Sequence, residues 1–365
     1  MGNQVKASRV RAVAAGMAAG VAAGMVGAVL MAGTAQAAEL SLTKLGLTID
    51  PAHTTVSGIS SGAYMAGQFQ MAFSNMVKGA GLVAGGPYGC TDATSGQAAA
   101  MVALKRCMDV SIGPPDVGAL VANARAREKA KDIDPLANLA SSRIYLFNGD
   151  NDVTVKRPVA DAAAQFYATL GVPAANLKYV TLPKAAHAHI TDGYGAACDH
   201  IPKEGQPAEF INNCQYDQSG DILSHLYPDA RKPNAPEASR KPVLFDQIPF
   251  VGDTSRSGMA TSGYIYIPES CAGGGQTCRL HIAFHGCRMA SNLIGDHYAV
   301  HAGYNRWADV NNIVVLYPQI DAKAKPTANP KACWDWFAYT GYDFARKSGF
   351  QMQAVRKMVA AITGN

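Results

Sequence analysis

Hydrophobic positions along the chain follow two alternating patterns, one typical of strands and one of helices. Short apolar runs suited to buried strands lie at 54–57, 82–84, 144–147, 179–182, 263–267, 280–284 and 313–317. Apolar residues recur at helical spacing directly after the first run, at positions 65, 69, 73 and 76, and again near the C-terminus, at positions 355, 358, 359 and 362. The alternation predicts an α/β domain. A stretch rich in proline and charge, 227–242, connects the two sets of strands.

The first 37 residues have the pattern of a secretory signal peptide. Lys6, Arg9 and Arg11 precede a run of small apolar residues at 13–32, and the segment 35–37, A-Q-A, fits a cleavage site. The alternative is a retained transmembrane anchor, because the run is long enough to span a bilayer although its Gly and Ala content makes it weakly hydrophobic. We expect the mature chain, 38–365, to be exported, either secreted or periplasmic, without stable membrane insertion.

Composition and charge exclude several classes of protein. The chain is 48% apolar and 16% charged, which argues against a disordered chain or a coiled coil. Its formal net charge is +5, and removal of the three cations of the leader leaves about +2. Such a small charge gives no reason to expect nucleic acid as a partner.

Eight cysteines lie in the mature part of the chain: Cys90, Cys107, Cys198, Cys214, Cys271, Cys278, Cys287 and Cys333. An even number in an exported chain predicts disulfides. We favour pairing in sequence order, with the pair 271–278 closing a Gly-rich turn; the alternative is that some are buried free thiols. Because there is no C-x-x-C and no Cys/His cluster, no metal site is expected.

A candidate nucleophile lies between the first predicted strand and helix. Residues 58–62 read G-I-S-S-G, and a G-x-S-x-G between a strand and a helix is the pattern of a nucleophile elbow. Glycines on both sides let the strand and helix pass without a Cβ clash, so the turn exposes the Ser60 hydroxyl. The alternative is an ordinary turn, since the motif occurs by chance in a chain with 36 glycines.

A serine nucleophile requires a base and an orienting carboxylate, which follow in the order Ser, Asp, His in hydrolases of this type. Asp150 and Asp152 both follow the strand at 144–147. We favour Asp152, because the next residue is apolar and can pack it inward, whereas Asp150 could merely shape the turn. His187 and His189 follow the strand at 179–182. We favour His187, which is closer to the strand end and flanked by alanines.

The reaction also requires two backbone N–H donors for the oxyanion. Ser61, after the nucleophile, supplies one. The loop 284–287, F-H-G-C, is suited to supply the other, but it lies some 225 residues after Ser60 instead of before it. This order predicts a circularly permuted α/β-hydrolase, a single domain in which the strands from 263 to 317 form the first half of one mostly parallel sheet. The alternative is that residues 285 and 286 only end a strand.

Five motifs occur together: G-I-S-S-G at 58–62, the His187 loop with T-D-G-Y-G at 191–195, N-C-Q-Y-D at 213–217, H-G-C at 285–287 and C-W-D-W at 333–336. Together they resemble the poly(3-hydroxybutyrate) depolymerases whose lipase box precedes the oxyanion loop, over essentially the whole mature chain. The resemblance implies a circularly permuted α/β-hydrolase domain with Ser60, Asp152 and His187 as the triad. It also implies that the amides of Ser61 and Cys287 form the oxyanion hole.

The resemblance implies a serine esterase that cleaves poly(3-hydroxybutyrate) or its oligomers without a metal or cofactor. We expect Trp334, Trp336 and His285 to contact the substrate; since alternate positions point oppositely, one tryptophan could face the cleft and the other the core, or both could be core residues. The sequence ends at Asn365, and we expect no C-terminal substrate-binding domain of the kind common in extracellular members. Amorphous polymer, soluble oligomers and short esters are therefore the expected substrates, and a monomer the expected state.

Three other functions remain open from the sequence. The first is a carboxylesterase of the same fold that acts on soluble esters, of the feruloyl or acetyl-xylan type. The second is an exported binding protein on an inactive hydrolase scaffold. The third is a serine peptidase.

Overall fold

The computed structural model describes residues 39–91, 97–203, 208–325 and 327–364, so the predicted leader at 1–37 lies outside the described residues. The strands are β1 (Thr48–Ile59), β2 (Val77–Val83), β3 (Arg143–Gly149), β4 (Leu177–Leu182), β5 (His189–Thr191), β6 (Ala196–Ala197), β7 (Ile211–Asn213), β8 (Val243–Asp246), β9 (Ser262–Tyr266), β10 (Thr277–Phe284) and β11 (Ile313–Tyr317). The helices are α1 (Ser61–Ala72), α2 (Gln97–Lys105), α3 (Val117–Lys129), α4 (Arg157–Thr169), α5 (Gln218–Leu226), α6 (Ile248–Val251), α7 (Thr254–Ser257), α8 (Ser291–Ile294), α9 (His297–His301), α10 (Tyr304–Asn311) and α11 (Phe350–Thr363).

A single eight-stranded sheet joins the two halves of the chain, in the order β4-β3-β2-β1-β10-β11-β9-β8. Its strands are parallel from β4 to β11, and β9 and β8 are antiparallel to their neighbours. The central pair is β1, which precedes the predicted nucleophile, and β10, which precedes the predicted oxyanion loop. The structure therefore confirms the circularly permuted arrangement, with the C-terminal strands on one side of β1 and the N-terminal strands on the other.

Buried polar side chains cross-link the two central strands. His281 on β10 lies with Nδ1 2.7 Å from the Thr55 hydroxyl and Nε2 2.7 Å from the Ser57 hydroxyl, both on β1. The Ser57 hydroxyl is also 2.7 Å from the Tyr304 hydroxyl of α10. Complete burial lowers the pKa of His281 to about 3, so the ring is neutral at pH 7. The network fastens the N-terminal half of the sheet to the C-terminal half.

Helices pack on both faces of the sheet, where buried apolar residues form two clusters. All twelve residues of α1 are buried, because this helix is enclosed by β1, β2 and the C-terminal segments. The final helix α11 packs its buried face, which includes Val355, Met358 and Ile362, against β1 and α6. This agrees with the apolar spacing of its sequence. The helix expected over positions 65–76 ends at Ala72, because Phe73 leaves the helical conformation at φ −126°.

Two parts of the fold were not predicted. Strand β8 follows the proline-rich connection and forms one edge of the main sheet, and β5, β7 and β6 form a separate three-stranded sheet. Strands β5 and β7 are only three residues long and β6 has two, too short for a periodic pattern. In the part of the chain described here, no helix is both long and apolar enough to span a bilayer.

Four disulfides join the eight cysteines in sequence order, the pairing that the sequence favoured. The pairs are Cys90–Cys107, Cys198–Cys214, Cys271–Cys278 and Cys287–Cys333. The last pair links the end of the β10 loop to the segment that carries Trp334 and Trp336. Disulfides of this number are typical of proteins that fold in an oxidising compartment.

Candidate active site

Ser60 lies in a strained turn between β1 and α1. Its φ of 56° and ψ of −120° are outside the regions that non-glycine residues favour, and its N–H donates to the Val83 carbonyl at 2.9 Å. A Cβ at Gly58 would collide with the Gly62 carbonyl, and a Cβ at Gly62 with the Phe284 carbonyl. Both glycines are therefore required by close backbone approach. The turn has the geometry expected of a nucleophile elbow.

His187 and Asp152 form a buried hydrogen-bonded pair. The Nδ1 of His187 is 2.8 Å from Oδ2 of Asp152, and the side chains are 10% and 0% exposed. The other carboxylate oxygen of Asp152 accepts the backbone N–H groups of Thr154 and Val155, each at 2.9 Å. Because these two amides fix the carboxylate, it can orient the imidazole with its Nδ1–H toward Asp152 and Nε2 toward the cavity.

Asp150 and His189, the alternatives from the sequence, lie elsewhere. Asp150 is exposed and accepts a hydrogen bond from Arg157 at 2.9 Å. His189 is completely buried in β5, where its Nε2 is 2.9 Å from both the Ser219 hydroxyl and the Ala302 carbonyl. Burial lowers the pKa of His189 to about 4. The geometry therefore favours Asp152 and His187 as the pair that faces the serine.

Backbone hydrogen bonds join the loop that carries Asp152 to the loop that carries His187. The Asp150 N–H donates to the Leu182 carbonyl at the end of β4, at 3.1 Å. The Asn151 N–H donates to the Ala185 carbonyl, two residues before His187, at 3.0 Å. Since β3 and β4 are neighbouring parallel strands, their carboxyl ends bring both loops to the same edge of the sheet.

The loop after β10 lies directly beside Ser60. A Cβ on Gly286 would be 3.5 Å from the Ser60 Cβ and 3.3 Å from the Ile59 carbonyl oxygen. The N–H of Ser61 is available to a ligand, because a residue in the first turn of a helix has no intrahelical acceptor for its amide. The next loop residue, Cys287, lines the same cavity as Ser60. The two amides assigned to the oxyanion therefore belong to adjoining segments.

A cavity of about 460 Å³ opens over these groups, with Ser60 and His187 in its wall. Its lining is mainly apolar and includes Leu104, Met108, Val153, Ile201, Phe210, Met289, Trp336 and Phe337. An apolar cleft with a few convergent polar groups suits a ligand with methyl groups and ester carbonyls. No cluster of three or more metal-binding side chains occurs among the residues that the structure describes.

The two predicted tryptophans have different positions. Trp336 lines the cavity and stacks on Tyr64, with ring centroids 4.3 Å apart and an interplanar angle of 10°. Trp334 is completely buried and packs edge-on against Phe284 in the core, so the expectation that it contacts the substrate is corrected. The two alternate in direction, as the sequence allowed, and only Trp336 lines the cavity.

The expectation for His285 is also corrected by its burial. Its ring is fully buried, with Nε2 3.3 Å from the Ile320 N–H, which it accepts, and Nδ1 2.8 Å from the Gly286 carbonyl. Burial lowers the pKa of His285 to about 4. The ring therefore supports the loop from below and does not reach the cavity.

Several cavity residues had no signal in the sequence. Tyr64 lies one helical turn after Ser60, and this spacing on α1 places it at the same rim. Phe210 and Met108 come from segments far away in sequence, and no motif marks them. Their place in the cavity wall is determined by the packing of long loops.

Comparisons with known proteins give a consistent set of relatives. The chain is 41% identical over 321 residues to a poly(3-hydroxybutyrate) depolymerase of Delftia acidovorans; the match covers 87% of this chain and 61% of that protein's length. It is 35% identical over 341 residues to a polyhydroxybutyrate depolymerase of Talaromyces funiculosus, covering 90% of this chain and 94% of that protein. No model of a protein family matches the chain.

Solved structures agree with these relatives. A crystal structure of PHB depolymerase from Penicillium funiculosum matches with a TM-score of 0.77 and 32% identity, over 89% of this chain and 99% of that one. A serine-to-alanine variant of a PHB depolymerase, complexed with an R3HB trimer, matches with the same TM-score and coverage at 31% identity. The family suggested by the sequence motifs is thereby confirmed, and the chain belongs to the poly(3-hydroxybutyrate) depolymerases.

Proposed function

We propose that this protein is a serine esterase that hydrolyses poly(3-hydroxybutyrate) or its oligomers through an acyl-enzyme. The observation that carries the proposal is the buried Asp152–His187 hydrogen bond of 2.8 Å, at the rim of an apolar cavity that also contains the strained Ser60. Membership of the depolymerase family and a structural neighbour that binds an R3HB trimer support a polyester or oligomer as the ligand.

The mechanism follows from the arrangement of the residues. His187 accepts the Ser60 proton at Nε2 while the hydroxyl oxygen bonds to the ester carbonyl carbon. Asp152 holds the imidazole and stabilises its charged form. The amides of Ser61 and Cys287 donate to the developing oxyanion.

Collapse of the tetrahedral intermediate breaks the bond between the acyl carbon and the alcohol oxygen, which takes the proton from His187 and departs as a hydroxyacid. Water then attacks the acyl-Ser60 ester, with His187 again as the base, and releases the second product. Every step uses groups of this chain and water.

The test is product analysis by chromatography on amorphous polymer and on defined oligomers, with Ser60→Ala as the variant. We expect hydrolysis by the parent protein and a loss of about 10⁴- to 10⁶-fold in the variant. The exposed Ser111, which is not in the cavity wall, supplies the matched control Ser111→Ala, with unchanged rate. Retained hydrolysis in Ser60→Ala would contradict the assignment of the nucleophile. Hydrolysis of ferulate or acetylated sugar esters without hydrolysis of polymer or oligomers would favour a carboxylesterase.

We also propose that the protein is exported and acts as a monomer in the periplasm or outside the cell. The leader pattern at 1–37 and the four disulfides support export. N-terminal sequencing of the exported protein is expected to begin at Ala38, and light scattering to give the mass of one chain. An intact leader on the exported protein would contradict cleavage.

A further inference from the structure

A buried carboxylate lies next to the aromatic residues of the cavity wall. Asp335 is only 1% exposed, and the two residues that follow it, Trp336 and Phe337, both line the cavity. Burial raises the pKa of Asp335 to about 6, so the ionised form, which only accepts hydrogen bonds, predominates at pH 8. A buried carboxylate lowers stability unless hydrogen bonds compensate it, and the acyl-enzyme mechanism makes no direct use of this one.

The carboxylate organises the loop that carries the two wall residues. Its Oδ1 accepts the N–H groups of Phe337 and Tyr339, at 3.2 and 3.1 Å. Its Oδ2 accepts the N–H group of Thr340 at 2.7 Å and the hydroxyl of the same residue at 2.6 Å. Between these donors Ala338 has a positive φ of 66°, which is unfavourable for a residue with a Cβ. The four hydrogen bonds therefore hold residues 335–340 in a path that the backbone does not favour by itself.

Two glutamines fix Asp335 itself against helices α1 and α11. The side-chain NH₂ group of Gln68 on α1 donates to the Asp335 carbonyl at 2.9 Å. The Asp335 N–H donates to the side-chain oxygen of Gln351 on α11 at 2.8 Å. Tyr64 lies four residues before Gln68, on the same face of α1, and stacks on Trp336. Since α1 begins at the nucleophile elbow, one helix positions both the nucleophile and the segment that carries the carboxylate.

We propose that Asp335 is a positioning residue that fixes Trp336 and Phe337 in the cavity wall and thereby determines specificity for hydroxybutyrate oligomers over short esters. The proposal rests on the esterase function above. Each repeat of an oligomer presents a methyl group and a carbonyl, and the repeats that flank the cleaved ester need an apolar wall at a fixed distance from Ser60. A short ester needs only the groups around Ser60. Asp335 touches no substrate and takes no part in the bond-breaking step.

The test compares two substrates. The measured quantity is the ratio of kcat/KM for the 3-hydroxybutyrate trimer to kcat/KM for ethyl acetate at pH 8, so any general effect on Ser60 or its base cancels. Asp335→Asn places an NH₂ group against N–H donors, so the loop loses part of its support. We expect the ratio to fall about tenfold, mainly through a higher KM for the trimer. The milder Thr340→Val removes only the hydroxyl donor and should lower the ratio about threefold, which keeps the test available if Asp335→Asn does not fold.

Asp134→Asn is the matched control for the loss of a buried carboxylate. Asp134 is 5% exposed, accepts the Asn75 N–H at 2.8 Å, lies 2.6 Å from the Lys347 Nζ and does not line the cavity. We expect this variant to have a lower thermal midpoint and an unchanged ratio.

Three outcomes have separate meanings. The positioning role is overturned if the ratio stays within twofold in Thr340→Val and in folded Asp335→Asn, or if it falls equally in Asp134→Asn. A parent protein that cleaves ethyl acetate and leaves the trimer intact would contradict the specificity for oligomers. If the parent protein cleaves neither substrate, the esterase function itself is wrong, and the role of Asp335 fails with it.

Discussion

The two halves of the sheet contribute to the cavity in different ways. The half formed by β1 to β4 supplies side chains: Ser60, Asp152 and His187 each follow one of its strands. The half formed by β8 to β11 supplies mainly backbone, in the loop at Gly286 and Cys287, and a smaller part of the apolar wall, which includes Met289, Trp336 and Phe337. The side chains are positioned by hydrogen bonds, and the loop by a disulfide.

This difference indicates that the two halves of the sheet tolerate amino-acid substitutions differently. A side chain that moves a proton depends on one atom in one orientation, so a single isosteric change abolishes its function while the fold remains. A loop that offers an amide depends on the path of the backbone, so its function is sensitive to whatever fixes that path. Substitutions in each half of the sheet separate these two kinds of dependence.

The largest effect is expected for Asp152→Asn. Oδ1 accepts two backbone N–H groups, so the amide oxygen of the new side chain will take that position and its NH₂ group will face His187. The imidazole must then accept at Nδ1 and carry its proton at Nε2, where it cannot take the Ser60 proton. We expect kcat to fall about 10⁴-fold with little change in the thermal midpoint.

Asp150→Asn is the matched control for this carboxylate. It removes an exposed ion pair with Arg157, so the rate should change less than about twofold. A larger loss in Asp150→Asn than in Asp152→Asn, measured on the same short ester, would mean that the wrong aspartate has been assigned.

The next effect is expected for the double variant Cys287→Ser with Cys333→Ser. This disulfide joins residues 46 positions apart, so its removal should lower the free energy of unfolding by about 4 kcal/mol. Because Cys287 lies in the loop that we propose binds the oxyanion, kcat of the folded fraction should fall at least about tenfold.

The pair Cys271–Cys278 gives the comparison for this variant. Its cysteines are seven positions apart and do not line the cavity, so their replacement by serine should cost about 2 kcal/mol of stability and leave kcat unchanged. Denaturant unfolding and single-substrate kinetics measure both quantities. An unchanged kcat in the first double variant would show that the loop does not need its disulfide.

The pH dependence of stability tests the network between the two halves. His281 has a folded pKa of about 3, below the value of about 6.5 for an unfolded chain, so the unfolded state binds the extra proton as the pH falls. Its contribution to stability is complete above pH 6.5 and is lost toward pH 3. Between pH 6.5 and 5 the loss is about 2 kcal/mol.

His281→Gln removes this titration. Between pH 6.5 and 5, the free energy of unfolding of the variant should therefore fall by about 2 kcal/mol less than that of the parent protein. The variant is expected to be less stable than the parent at pH 8, since it loses hydrogen bonds to Thr55 and Ser57. Denaturant titrations at several pH values provide the slopes. Parallel slopes in the two proteins would mean that His281 does not titrate on unfolding.

The smallest effect is expected at the two tryptophans. Trp336→Ala removes the ring stacked on Tyr64 in the cavity, so KM for an oligomer should rise about tenfold, with partial recovery in Trp336→Phe. Trp334→Phe alters only the core and should lower the thermal midpoint without raising KM. A rise of KM in Trp334→Phe that matches Trp336→Ala would contradict their separate positions.

Much of the fold, and candidates for the triad, could be predicted because the informative patterns are local. The segment 58–62 and the strand before it define an elbow by themselves, and the candidates Asp152 and His187 follow strands that the apolar runs located. The position of the H-G-C loop after the serine was enough to predict the permuted sheet, which the order of β1 beside β10 confirms.

The side-chain positions that the sequence did not predict depend on contacts between distant segments. Whether His285 and Trp334 face the cavity or the core is decided by packing against Ile320 and Phe284, and a sequence pattern does not contain that information. The wall residues Tyr64 and Phe210 were missed for the same reason. The strands β5 to β7 of the small sheet are too short to be detected by periodicity, and strand β8, V-L-F-D, was missed directly after the proline-rich connection.

The order of the disulfides has a consequence for how the chain is oxidised. Eight cysteines allow 105 complete pairings, yet each native partner is the next cysteine along the polypeptide, at separations of 17, 16, 7 and 46 residues. If the chain is exported as we propose, a thiol oxidant that acted on cysteines in their order of emergence during transport would therefore produce the native set without an isomerase. Maturation of this enzyme should be insensitive to the loss of disulfide-shuffling activity in its host.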